Sequence, residues 1–186
     1  MRLHPLRRRT RELDPKAVAI SGLAAGAAYV AVLEADLRLT GRNLDDLMIL
    51  GRPFTEEPER ARALGGAIHA MNSLALASLY AVLKRRIPGP PWLKGVIFAN
   101  VENVILYPIT LFEDIHPAIR TGLVDRYFTW PAFWQSVPRH IAFGAVLGVL
   151  YDRLRSADAA GSRSTSRDMS FMGYDAGTVV AQHLLQ

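Results

Sequence analysis

The chain has 186 residues, half of them hydrophobic and 21% charged, with a formal net charge of +5. The charges are bunched, which excludes a disordered chain and a nucleic-acid-binding domain with basic residues spread over a folded face. There is no cysteine, which excludes a disulfide framework and a thiolate metal site.

Residues 1–16 form a basic N-terminal segment carrying Arg2, Arg7, Arg8, Arg9, Arg11 and Lys16. A bilayer core about 30 Å thick needs roughly 20 apolar residues to cross it. Four stretches qualify: 17–37, 63–83, 95–112 and 137–154, the last being the shortest and most polar at its ends. A soluble core helix would show a charged outer face with a 3.6-residue period, and the first three stretches have none. The first is too long for the apolar part of a signal peptide, and Glu34 and Asp36 close it instead of a cleavage site.

The loops and ends complete the outline. The first loop (38–62) is polar, with a short helix expected near residues 44–50. In the third loop Tyr127, Phe128, Trp130, Phe133 and Trp134 crowd together. Such rings favour a membrane interface, so 124–136, broken at Pro131, is expected to lie on the outer surface. An aromatic lid over a substrate is the alternative. Tyr80, Tyr151 and Trp92 are expected at the cytoplasmic interface. The tail 156–186 is expected to be cytoplasmic and flexible, and its last sixteen residues, 171–186, have apolar side chains without clear periodicity.

Cytoplasmic segments carry an excess of Lys and Arg. The N-terminal segment, the second loop (Lys84, Arg85, Arg86, Lys94) and the C-terminal segment (Arg153, Arg155, Arg163, Arg167) hold fourteen, against eight in the first loop and in the third loop counted as far as Arg139. Both termini are therefore expected in the cytoplasm. The positive charge reads as a topology signal, with no nucleic-acid partner implied. The bilayer is the expected partner, with a homo-oligomer or another membrane protein also possible.

The chain repeats itself. His69 and His140 each precede a Tyr by eleven residues (Tyr80, Tyr151), and Ser73 and Ala77 align with Gly144 and Gly148. Lys16, Tyr29, Leu33 and Asp36 align without a gap with Lys94, Tyr107, Leu111 and Asp114. The spacing predicts two parallel two-helix repeats related by an axis along the membrane normal. The fold expected is all-α: a four-transmembrane-helix bundle occupying 17–155. Gly22 and Gly26, like Gly144 and Gly148, mark close helix contacts, since small residues set helix approach in lipid.

Polar groups at membrane depth are costly and face protein or water. Glu102 stands near the middle of the third span, flanked by Asn100 and Asn103. Asn103, Tyr107, Thr110 and Asp114 form a polar stripe. Glu102 is read either as a proton- or cation-binding carboxylate or as a protonated structural one, with Asn72 or His69 as its expected partner. His69 and His140 fit structural hydrogen bonding, a relay with Glu102 and Glu34, or paired ligation of a haem. A metal site from Glu34, His69, Glu102 and His140 is weakened by their spread in depth, so neither a metal nor a cofactor is assigned. No phosphate loop, HExxH or Gly-x-Ser-x-Gly is present, and no catalytic residue is assigned.

The segment from His69 to Tyr80 and the pattern His140-x3-Gly144-x3-Gly148-x2-Tyr151 resemble small, uncharacterised four-span bacterial inner-membrane proteins classed as domains of unknown function. The resemblance covers roughly residues 17–155. It implies a topology and no activity. The reading is a non-catalytic packing or accessory membrane protein. The alternatives are a small permease or proton- or ion-coupled carrier using Glu102, and a haem-binding protein using His69 and His140.

Overall fold

A computed structural model describes residues 13–171. The elements in order are α1 (Pro15–Thr40), α2 (Asp46–Gly51), α3 (Pro58–Leu83), α4 (Pro91–Leu106), α5 (Pro117–Arg120) and α6 (Trp130–Phe171). There is no strand among the described residues. The chain divides into two units, 1–152 and 153–186. The first holds α1 to α5 and most of the apolar part of α6, and the second is helical as far as Phe171.

Local chemistry sets the helix starts. Asp14 caps α1, its carboxylate accepting from Lys16 N at 3.0 Å and Ala17 N at 3.1 Å. Pro15 opens that helix, where its missing N–H costs nothing. Gly41 ends it at φ +67°, a backbone state glycine adopts without a Cβ penalty. Asp45 caps α2 in the same way through Leu47 N and Met48 N. Pro58 and Pro91 open α3 and α4.

Among the described residues three helical segments are long and apolar enough to cross a membrane: Pro15–Thr40, Pro58–Arg86 and Pro91–Ile115. Their outward residues are apolar too, with Met71 69% and Ile105 67% exposed. A water-facing helix would carry charge there. The third expected span does not stay α-helical. It becomes a 3-10 segment over Tyr107–Ile115, because Pro108 cannot donate to the helix ladder. The expected stripe therefore splits, with Thr110 hydroxyl donating back to Tyr107 O at 2.6 Å. The fourth expected stretch is embedded in the longer α6 and is not among the three, since Arg139, His140 and the charges from Asp152 to Arg155 interrupt it.

Two expectations about the loops are corrected. The third loop packs against the first loop, and Pro131 does not break it. Pro131 sits in the first turn of α6, which begins at Trp130. The residues before it fold onto the first loop. Asn43 N donates to Asp125 Oδ2 at 2.7 Å, and Asp125 N donates to Asn43 O at 2.9 Å. Met48, Ala61, Ala118 and Val124 form a small apolar core between the two loops. Glu113, buried, fastens the third loop by accepting from Phe128 N at 2.9 Å, Tyr127 N at 2.5 Å and Arg126 Nε at 2.7 Å. The second correction concerns Tyr80 and Tyr151. Both are fully buried, in edge contact at 5.9 Å, because they face one another and not an interface. The segment expected to be flexible after Ser156 is helical to Phe171. The basic arginines before Leu13 and the end of the tail lie outside the described residues.

Small residues set the helix spacing. A Cβ on Gly22 would meet Ala77 and the Ser73 carbonyl at 2.9 Å, so α1 and α3 touch backbone to backbone. A Cβ on Gly95 would fall on the Gly144 carbonyl, and one on Gly148 would fall on the Pro91 carbonyl. The short α2 is seated on α3 in the same way, through Gly51 against Ala61 and Gly65 against Leu47. These surfaces are consumed inside the monomer.

Candidate functional site

A cavity of about 220 Å³ lies among α1, α2, α3, α4 and α6. Its polar lining comprises Tyr29, Asp46, His69, Asn72, Ser73, Glu102 and His140. Ile49, Leu50, Leu76 and Phe143 supply the apolar remainder. Tyr29, Asn72 and Glu102 each stand near mid-length of their helical segments.

His140 Nε2 lies 3.4 Å from Glu102 Oε2. The neighbour of Glu102 is thus His140, and neither Asn72 nor His69 as expected, although both line the same cavity. The other nitrogen of His140 is 2.9 Å from Ser136 O. A proton on that nitrogen leaves Nε2 free to accept from a protonated Glu102, and a second proton makes an ion pair. The rings of His69 and His140 both pack on Tyr29, with centroids at 4.8 Å and 5.2 Å. Both imidazoles thus pack against one tyrosine ring, an arrangement that does not favour a haem held between them. His69 Nε2 is buried and directed at the Gly26 backbone in a geometry short of a good hydrogen bond.

The other expected residues do different work. Asn100 donates to Val96 O at 3.0 Å within its own helix. Asn103, buried, donates to Ser136 Oγ at 2.8 Å and joins α4 to α6. Glu34 pairs with Arg62, outside the cavity. Among the described residues no group of three or more His, Asp or Glu side chains is placed to hold a metal ion.

A charged lock stands beside the cavity. Arg139 is 1% exposed. Its guanidinium pairs with Asp36 of α1 and with Asp46 at 2.6 Å, and donates to Leu44 O at 2.9 Å. Arg62 likewise bridges Glu34 and Asp45, the latter at 2.7 Å. Asp46 also accepts the Tyr29 hydroxyl at 2.7 Å and the Tyr127 hydroxyl at 3.0 Å. Burial, with the Asp46 carboxylate beside it, holds the Tyr127 phenol well above its ordinary pKa, so it remains a donor. Guanidinium suits such a site because its planar fork serves several acceptors at once. Asp46, Arg62 and Arg139 escaped the sequence reading, and Tyr29 and Asp36 entered it only as repeat positions. The only signal was an arginine inside the fourth apolar stretch.

No curated protein and no solved structure matches this chain. A family model does match, over residues 14–162. The chain belongs to the family of unknown function DUF6789.

Proposed function

We propose that this is a four-span protein of the bacterial cytoplasmic membrane, with both termini inside, acting as a non-catalytic accessory or packing protein. The observation that carries the role is the lock. Arg139 and Arg62 each join two carboxylates from different elements and fasten the first loop to the long helices, while Tyr127 ties the third loop to the same Asp46. The lock also supports the fourth crossing, because an arginine inside a span is tolerated when paired within the protein. The repeat has support in the contacts. In each half a small pair, Ser73 with Ala77 or Gly144 with Gly148, meets the preceding long helix. In each half a tyrosine hydroxyl, Tyr29 or Tyr107, donates into the loop that follows. The partners remain the bilayer and a second membrane protein or copy, which would use faces other than the consumed glycine surfaces.

Reporter fusions after residues 58, 90 and 125 test the topology. The expected readings are outside, inside and outside. An inside reading at 125 removes the third crossing.

The second reading is a small proton- or ion-coupled carrier, favoured by the Glu102–His140 pair on the cavity. In proteoliposomes under a pH gradient, a carrier passes protons and Glu102→Gln abolishes the flux while the fold survives. An accessory protein shows no flux in either form.

A further inference from the structure

We propose that the cavity binds the cationic head of a membrane-dissolved amphiphile, a lipophilic primary amine, which enters sideways past α3. This rests on the membrane reading, since the entrance faces lipid only if α3 crosses the bilayer.

The charge of the head follows from the lining. Two carboxylates reach the cavity. Asp46 is neutralised by Arg139 and accepts two phenol hydroxyls. Glu102 has no arginine or lysine, and its ionic neighbour is His140 at 3.4 Å. A Glu102 carboxylate has no permanent counter-ion among the described residues. An ammonium supplies the counter-charge and donates to it. A metal ion is the wrong cation, because among the described residues three ligating side chains do not converge.

The amphiphilic character follows from the entrance. Asn72 lines the cavity and is also exposed, at mid-length of α3, beside the exposed Met71. An asparagine facing hydrocarbon at that depth is costly unless something bonds it. A head group passing the mouth does so. The cavity is small, about seven waters' worth at roughly 30 Å³ each. It accommodates a head and a few carbons against Leu76 and Phe143, with the remaining tail outside in lipid.

Equilibrium binding of radiolabelled decylamine to the full chain in lipid nanodiscs, corrected by empty nanodiscs, tests this. The expected result is saturable binding at one site per chain. Decanol should compete about tenfold more weakly or worse, the loss of one charge-assisted contact. Glu102→Gln should weaken decylamine at least as much. Leu76→Trp, which fills the cavity and keeps every charge, should also abolish binding, so the test survives if Glu102→Gln misfolds. No saturable excess over empty nanodiscs overturns the proposal, as does equal competition by decanol, or binding indifferent to both substitutions. Saturable binding together with fusions that place both ends of α3 on one side would leave the site standing and remove the membrane reading instead.

Discussion

Replacing Arg139 with methionine is expected to destabilise the protein by about 3–5 kcal/mol, the usual cost of stranding the partner of a buried ion pair. Methionine keeps much of the volume, so the loss is electrostatic. Asp36 and Asp46 lose their cation, and Leu44 O loses a donor. Adding Asp36→Asn and Asp46→Asn should recover part of the loss, because the two carboxylates no longer need a counter-charge. That non-additivity separates a lock from a merely crowded site. Denaturation in detergent, followed by fluorescence of the chain's three tryptophans, reads the effect. A single-substitution loss below roughly 0.5 kcal/mol, the range of an ordinary surface change, would mean the arginine is solvated.

Gly95→Ala is the second large effect. The new Cβ would fall on the Gly144 carbonyl, where neither side is a movable side chain. Forcing α4 and α6 apart should cost at least the 1–3 kcal/mol or so typical of overpacking, and repacking cannot recover it locally. Gly66→Ala is the matched control. Its added Cβ meets nothing within 4 Å, and alanine is the better helix former by about 1 kcal/mol. The same unfolding assay should therefore show one glycine intolerant and the other neutral or stabilising. Equal tolerance at both would contradict the backbone contact between the two helices.

The helices were legible because an apolar run of span length is a local signal. The change to 3-10 at Tyr107 was also local, since Pro108 announces it, yet the run of apolar residues around it masked the break. The site was half legible. His69, Asn72, Glu102 and His140 stand out as polar residues in apolar runs, and the cavity gathers all four. Asp46 and Arg139 do not stand out, because an aspartate in a polar loop and an arginine at the edge of a span both look solvated. Only the fold brings them together, 93 residues apart in sequence. The packing of the third loop was hidden for the same reason. Its backbone is held by Glu113 and its apolar residues by the first loop.

The fourth crossing is the central claim, and the absence of cysteine makes it directly measurable. Glu56→Cys and Ala157→Cys, both at exposed positions, are compared in intact cells with a membrane-impermeant maleimide. Four spans predict labelling of Glu56→Cys in intact cells, and labelling of Ala157→Cys only after permeabilisation. Labelling of Ala157→Cys in intact cells would leave three crossings and contradict the account.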